Sequence, residues 1–154
     1  MDRLDCKIIA LLQQDGRLTT AELADQIGLS ASPCARRLKR LESDGIITGY
    51  KASVNRKAVG LGMTIFVNVR LNKHKEDVID EFEQAMIKQP VVLSCHIISG
   101  SYDYLLEVVC QDLNGYELFI RQLQSHSAVQ DINTNFAIRR VKSHTPLPLG
   151  DDAC

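Results

Sequence analysis

The sequence predicts an α+β protein in two parts, a helical N-terminal part followed by a part in which strands and helices alternate. Between residues 4 and 41 the apolar residues recur at three- and four-residue intervals, the spacing of amphipathic helices. From Met63 onward, segments with alternating apolar residues are separated by two further amphipathic stretches. The chain has 154 residues, of which 45% are hydrophobic, and this is enough for a packed core.

The first two helices of the N-terminal part are defined by their spacing and caps. Helical spacing of leucine and isoleucine predicts a helix over residues 4–14, which the polar residues from Asp15 interrupt. A second helix is expected to begin after Thr19, which stands in the S/T-x-x-E relation of a capping box with Glu22. It is expected to end at Gly28, because glycine adopts the left-handed conformation at little cost.

A third helix follows after a short turn. We expect Ser32 to be its N-cap and Pro33 its first residue, where no backbone N–H is needed. Asp44 and the glycine after it are expected to end it. An apolar stripe at i, i+4 and i+7 is formed by Cys34, Leu38 and Leu41. This stripe should pack inward and leave the basic residues of the helix on the surface.

Two helices joined by a tight turn, with cations on the second, are typical of a helix-turn-helix that places its second helix in the major groove. A run of charges on a helix is ordinarily a face exposed to solvent. Here, however, the cations lie on the helix that follows a turn with helix-turn-helix spacing. Residues 1–60 carry ten Lys and Arg against seven Asp and Glu, whereas residues 61–154 carry eight against twelve. The basic half is therefore the half with the helix-turn-helix, which favours DNA as the partner.

The expected DNA contacts fall into two groups. Base edges are expected to be read by Ser30, Ser32, Ala35, Arg36 and Lys39. Phosphates are expected to be contacted by Arg37, Arg40, Lys51 and Arg56. The segment over residues 46–54 is rich in β-forming residues and is expected to form a strand or wing.

The domain limits follow from a change of pattern near Gly60. We predict a helix-turn-helix domain with a linker strand over residues 1–60, a second domain over residues 61–142, and a C-terminal tail over residues 143–154. Strands of the second domain are expected at residues 64–71, 91–98, 104–110 and 129–138. Its helices are expected around residues 78–86, stopped by Pro90, and after an N-cap at Asp112.

The order β-α-β-β-α-β is that of the ferredoxin-like sandwich, one antiparallel sheet with both helices on one face. The uncovered face is not expected to be polar, because Phe66 and parts of the second and third strands have apolar neighbours on both sides. A second subunit is the expected cover. A dimer would present two recognition helices together, which suits a pseudo-palindromic site.

Several classes of protein are disfavoured. The chain contains no apolar run of about eighteen residues and begins with acidic residues where a signal peptide is basic, so a cytoplasmic, nucleoid-associated protein without membrane contact is expected. No C-x-x-C pair indicates a zinc site, and we expect no bound metal. No catalytic triad, carboxylate pair or glycine-rich phosphate loop indicates an enzyme or a nucleotide cofactor.

The chain resembles the Lrp/AsnC, or feast/famine, family of transcription regulators over nearly its whole length. The matching segments, in order, are Leu4-Asp5, Asp15-Gly16-Arg17, Leu23-Ala24, Ile27-Gly28-Leu29-Ser30, Arg37-Leu38-Lys39-Arg40-Leu41-Glu42, Asp44-Gly45-Ile46-Ile47, Gly100 and Asp103-Tyr104. The resemblance implies a DNA-binding helix-turn-helix, a ligand-sensing second domain, and dimers that assemble into tetramers or octamers.

The resemblance also implies an amino-acid effector bound between dimers, near the loop that joins the second and third strands. In this chain the loop consists of Ser99, Gly100, Ser101, Tyr102 and Asp103. Asp103 is expected to pair with the α-ammonium group and the amides near Gly100 with the carboxylate. An ordinary hairpin turn would favour the same residue types. Polar residues of the last strand that could complete the pocket are Asn133, Thr134 and Asn135.

The identity of the effector is left open between leucine-like amino acids and cysteine. Cysteine is included because the final residues, 144–149, are similar to the end of a subgroup of the family connected with cysteine. Two alternatives remain for the function. One is an architectural protein that wraps DNA without an effector, and the other is an enzyme on the same frame, similar to the sirohaem decarboxylases. His96, on an expected strand, is the histidine considered for the enzyme, although a structural role is more frequent for such a residue.

Overall fold

A computed structural model describes residues 1–72, 75–143 and 145–149. Contacts divide the chain into an N-terminal unit, Met1–Ser53 with the described part of Lys142–Cys154, and a sheet unit, Val54–Val141. His144 and residues 150–154 of the expected tail lie outside the described residues. No helix in the described part of the chain is long and apolar enough to cross a membrane.

The N-terminal unit contains the three expected helices, α1 (Arg3–Gln14), α2 (Thr20–Ile27) and α3 (Ala31–Ser43). Each presents its apolar stripe to a common core. The buried core residues are Ile8, Leu23, Ala24, Ile27, Cys34 and Leu41. The predicted inward stripe of α3 is confirmed, because Cys34 and Leu41 are fully buried and Leu38 packs against them.

The caps of α2 are those expected from the sequence. The Thr19 backbone N–H donates to Oε2 of Glu22 at 2.7 Å, and the Glu22 N–H donates to Oγ1 of Thr19 at 3.3 Å, so the capping box is complete. Gly28 follows the helix with a φ of 72°, in the left-handed region. The turn between α2 and α3 is therefore determined by local sequence.

The start of α3 differs from the expectation. Ser30, not Ser32, is the N-cap, and the helix begins at Ala31, so the predicted boundary was wrong by two residues. Pro33 is the third helical residue instead of the first. The N–H groups of the whole first turn lack an intrahelical acceptor, so proline fits there at more than one position and does not fix the boundary.

No strand forms over residues 46–54, so the expectation of a strand there was wrong. The backbone N–H groups of Ile46 and Ile47 both donate to the carbonyl of Leu41, each at 3.0 Å, and so close the C-terminal end of α3. The Tyr50 hydroxyl donates to Glu42 at 2.9 Å. These hydrogen bonds hold the segment against the end of α3. A strand would have needed a neighbouring strand with which to form backbone hydrogen bonds.

The sheet unit has the predicted order of elements. They are β1 (Met63–Leu71), α4 (Glu76–Ile87), β2 (Val92–Ile97), β3 (Tyr104–Cys110), α5 (Leu113–Gln124) and β4 (Val129–Phe136). The strands lie in the order β2-β3-β1-β4, and every neighbouring pair is antiparallel. The predicted ferredoxin-like βαββαβ fold is confirmed. Asp112 caps α5 as expected and accepts from the Gly115 N–H at 2.9 Å.

The two faces of the sheet differ. Alternate β1 residues Ile65, Val67 and Val69 are fully buried in the core shared with α4 and α5. On the other face Phe66 is 38% exposed. Its cross-strand partners are the polar residues Glu107 and Asn135, so this open face mixes apolar and polar side chains.

Candidate functional site

The face of α3 opposite the core carries the side chains best placed to meet a partner. At about 100° per residue, Ser32, Arg36 and Lys39 project away from the buried Cys34 and Leu41. Ser32, Arg36 and Lys39 are all exposed. Neither Arg36 nor Lys39 has an ion pair or hydrogen-bond partner within the described residues. Their charges are therefore available to an external anion.

The other two cations of α3 have partners on α1 and its cap. Nη1 of Arg37 donates to Oδ2 of Asp2 at 2.6 Å and to Oδ1 of Asp5 at 2.9 Å. Nη2 of Arg40 donates to Oδ2 of Asp5 at 2.6 Å. The pKa of Arg37 is raised by these bonds, first by Asp2 and then by Asp5. These cations are turned toward α1, in contrast to Arg36 and Lys39.

Asp2 and Asp5 were not among the residues predicted for this region. The local signal was present, because Asp2 and Asp5 form a capping box at the start of α1. Backbone N–H donation from Asp5 is the largest cause that lowers the pKa of Asp2, and the hydrogen bond from Arg37 is the next. Their pairing with residues 32 to 35 positions further along the chain could not be read from local spacing.

The remaining expected DNA residues occupy different settings. Ser30, Ala35 and Lys51 are exposed on the N-terminal unit. Arg56 belongs to the sheet unit, where its Nη1 donates to Oε1 of Glu107 at 2.9 Å and to Oγ1 of Thr64 at 3.2 Å. It is half-buried there, and its charge is balanced within the unit.

The expected effector loop, Ser99–Asp103, joins β2 to β3. Gly100 has a φ of 119°, a backbone conformation that favours glycine. Oδ2 of Asp103 accepts from the Leu71 N–H at 2.8 Å, and the Asp103 N–H donates to the carbonyl of Val69 at 2.9 Å. Asp103 therefore ties the loop to the end of β1, a role that was not expected from its position in the sequence.

Arg70 lies beside this loop and was not singled out from the sequence. Its Nε donates to the carbonyl of Ser101 at 2.7 Å, and its guanidinium carbon lies 5.1 Å from the centre of the Tyr102 ring. The Tyr102 hydroxyl donates to Asp131 at 3.2 Å. The loop and the adjacent ends of the strands thus form a polar cluster, with the guanidinium group of Arg70 at its edge.

The three polar residues of β4 do not share one face. The Tyr116 hydroxyl of α5 donates to Oγ1 of Thr134 at 3.0 Å, so Thr134 points toward the helices. Asn133 and Asn135 alternate with it and project from the open face, where Nδ2 of Asn135 donates to Oδ1 of Asn133 at 3.1 Å. Among the described residues there is no group of three or more His, Cys, Asp or Glu that could hold a metal ion.

The two units define a class of protein. A helix-turn-helix with unpaired outward cations is combined with a separate ferredoxin-like unit, the build of a DNA-binding protein with an appended second domain. The family model described as winged helix-turn-helix DNA-binding matches residues 1–48, and that described as Lrp/AsnC ligand binding domain matches residues 64–147. The chain belongs to the Lrp/AsnC family, as its resemblance predicted.

Relatives of this chain are transcription regulators. It is 37% identical over 150 residues to the DNA-binding transcriptional activator DecR of Escherichia coli K12, which covers 97% of this chain and 99% of DecR. A Neisseria meningitidis transcriptional regulator in complex with L-Met is similar in structure, with a TM-score of 0.93, 41% identity and 97% coverage of both chains. An AsnC family regulator from Agrobacterium tumefaciens gives a TM-score of 0.92 at 36% identity, also with 97% coverage of both.

Proposed function

We propose that this protein is a sequence-specific DNA-binding transcription regulator whose assembly or DNA binding responds to a small amino acid. The observation that carries the DNA part is the outer face of α3, where Arg36 and Lys39 are exposed and unpaired within the described residues. They stand on the second helix of a helix-turn-helix, the element that enters the major groove. Such a protein resides with the nucleoid in the cytoplasm.

The outer face of α3 is suited to reading bases. Arginine donates two parallel hydrogen bonds to guanine, lysine donates to guanine oxygen, and the Ser32 hydroxyl can donate or accept. Ala35 and Ser30 lie near the start of the helix, the part that reaches base edges in this class. Lys51 would contact the phosphate backbone beyond the groove.

A matched pair of double variants tests the DNA function. Arg36→Ala with Lys39→Ala removes two cations from the outer face of α3. Lys7→Ala with Arg17→Ala removes the same charge from exposed positions elsewhere in the N-terminal unit. Genomic fragments bound by the wild type supply the probe, with a scrambled duplex of equal length as the non-specific reference.

The first pair should abolish the preference for the selected fragments, because each lost base contact costs about 1–3 kcal/mol. The control pair should keep the preference. Equal loss in both variants would show that net charge, not the face of α3, governs binding, and would refute the proposal. A wild type with a preference near one that no amino acid changes would indicate an architectural protein instead.

The effector part is supported by a relative and by the chemistry of the loop. The N. meningitidis regulator was solved with L-Met. In this chain two guanidinium nitrogens of Arg70 remain for a carboxylate after Nε has donated to Ser101, and Gly100 allows close approach to its backbone amide. Ser99, Asn133 and Asn135 would add polar contacts from the same or a neighbouring subunit. L-methionine, leucine-like amino acids and L-cysteine are the ligands proposed.

Assembly is part of the same proposal. The open sheet face, with Phe66 at its centre, would be covered by a second copy to form a homodimer, and dimers would associate into tetramers or octamers. Gel filtration with light scattering, with and without L-methionine, L-leucine or L-cysteine, measures the response.

A guanidinium variant and its control make the effector test specific. Arg70→Gln should remove the response to the active amino acid, whereas Arg139→Gln, which removes an exposed cation from the same unit, should preserve it. A response that survives Arg70→Gln would refute the assignment of Arg70. The absence of any response across the amino acids would refute the effector part and leave the DNA part standing.

A further inference from the structure

We propose that Asp2 and Asp5 are positioning residues for DNA reading: they form a carboxylate clamp that holds α3 through Arg37 and Arg40. The proposal rests on the proposed DNA-binding function and assigns a role to residues that do not touch DNA. It also implies that only two of the four cations of α3 are available to the duplex.

Asp5 is the centre of the clamp. It is fully buried, and it is the one buried charged residue in the part of the chain that the structure describes. Its Oδ1 accepts from Arg37 at 2.9 Å, and its Oδ2 accepts from Arg40 at 2.6 Å and from the Asp2 backbone N–H at 2.9 Å. A buried carboxylate is costly unless it is paired and hydrogen-bonded, and here both oxygens are satisfied.

Asp2 completes the clamp from the helix cap. Its Oδ1 accepts from the N–H groups of Leu4 and Asp5, each at 3.0 Å, while its Oδ2 accepts from Arg37 at 2.6 Å. The positive end of the α1 dipole also favours carboxylates at this point. The cap that starts α1 and the ion pair that holds α3 therefore use one side chain.

Two attachments one turn apart fix the rotation of α3 about its axis. Arg37 and Arg40 are three residues apart, and each is adjacent in sequence to one of the outward cations, Arg36 and Lys39. A helix with side chains is about 10–12 Å wide, so a rotation of about 20° would move a side-chain end by about 2 Å. A base contact depends on a hydrogen bond of about 3 Å and would not tolerate that displacement.

The clamp also reduces the number of α3 cations that are free to bind phosphate. Arg37 and Arg40 are balanced by the carboxylates of Asp2 and Asp5, so binding to phosphate would first require these ion pairs to break. Each cation that neutralises a phosphate contributes about 0.9 to the slope of log affinity against log salt. The salt slope therefore distinguishes the clamp from direct phosphate contact.

The test compares two cations of the N-terminal unit on the full-length protein. Salt slopes are measured with the selected genomic fragment and the scrambled duplex for the wild type, Lys51→Gln and Arg40→Gln. Lys51→Gln, at an exposed position proposed to contact phosphate, should lower the slope by about one per bound protomer. Arg40→Gln should leave the slope unchanged. An equal fall in both variants would place Arg40 on phosphate and overturn the clamp, while the DNA-binding proposal would stand.

A second set of variants tests positioning directly. Asp2→Asn keeps the N-cap, since asparagine caps as well as aspartate, but removes one of the two carboxylates that hold Arg37. The preference for the selected fragment should fall about tenfold, the size of one lost base contact, while non-specific affinity and its salt slope rise because Asp5 alone cannot balance both Arg37 and Arg40. Asp2→Glu, which keeps the charge, should retain more of the preference than Asp2→Asn.

A role in folding alone predicts a different result. Asp2→Asn would then lower specific and non-specific affinity in parallel, in proportion to the loss of folded protein seen by circular dichroism, and the clamp would be refuted. If Asp5→Asn folds, its specific and non-specific affinities are measured in the same way. If Asp5→Asn does not fold, the result for Asp2→Asn decides between the clamp and a role in folding. A wild type that binds no fragment preferentially would instead refute the proposed function itself.

Discussion

Leu41→Ala should strongly destabilise the DNA-binding half of this protein while the stability of the sheet unit is unchanged. Leu41 lies on α3, has no exposed surface, and packs in a core of six buried residues with Ile8 and Leu23 among them. Truncation to alanine removes apolar contacts and leaves a cavity in a core too small to repack around it.

The magnitude follows from the size of the unit. A buried Leu→Ala substitution costs about 2–5 kcal/mol. A stability of about 0.05–0.15 kcal/mol per residue gives about 3–8 kcal/mol for a segment the length of Met1–Ser53. The expected loss therefore ranges from about a quarter of the stability of the N-terminal unit to all of it, and the middle of the two ranges corresponds to more than half.

Urea unfolding followed by circular dichroism and binding to the selected DNA fragment provides the assay. In the variant, the N-terminal unit should unfold at much lower urea than in the wild type or be unfolded without urea. Specific DNA binding should fall with the fraction of this unit that is folded. Leu38→Ala, at a half-buried position of the same helix, should cost less. Leu113→Ala, at a position 63% exposed on α5, should change neither measurement.

A loss below about 1 kcal/mol, smaller than any value in the buried Leu→Ala range, would refute this account of the core. The same conclusion would follow if Leu38→Ala and Leu41→Ala were equally destabilising, because burial would then not decide the cost.

Three further predictions concern the turn, the α5 contact and acid stability. Gly28→Ala should cost roughly 1–2 kcal/mol in thermal unfolding because its φ is 72°, although a Cβ would meet no atom within 4 Å. Tyr116→Phe should cost about 0.5–1.5 kcal/mol in urea unfolding because Thr134 loses its donor at 3.0 Å; no loss would argue against that bond. The pKa of Asp2 is lowered in the folded protein, so its contribution to stability is present above the ordinary pKa of 3.8 and is lost as the pH falls through the lower folded value. As the pH falls below about 4, Asp2→Asn should therefore lose less stability than the wild type in urea titrations, and parallel curves would contradict the lowered pKa of Asp2.

Local chemistry explains which parts of the fold the sequence predicted. The caps of α2 and α5 depend on residues three positions apart, and Thr19, Glu22 and Asp112 stand where they were expected. The start of α3 was misplaced because Ser30 and Ser32 are equally able to cap and proline is accepted throughout a first turn. When two residues can cap a helix equally well, tertiary packing decides where the helix begins. The local sequence pattern gives no information on that packing.

The candidate site was less predictable because its contacts join distant segments. Periodicity separated the buried stripe of α3 from its polar face, and Arg36 and Lys39 are exposed as expected. It could not tell that Arg37 and Arg40 meet carboxylates of α1, since that depends on how two helices pack. Arg56 likewise meets Glu107, a residue 51 positions away.

Glu107 brings together the two ends of the sheet unit. Its Oε1 accepts from Arg56, ahead of β1, at 2.9 Å and from Arg140, beyond β4, at 3.5 Å. Because its ends are adjacent, the segment Val54–Val141 has the geometry of a cassette. A short peptide joining those ends would permit new termini to be opened at another surface loop, or the whole cassette to be inserted into a different host protein.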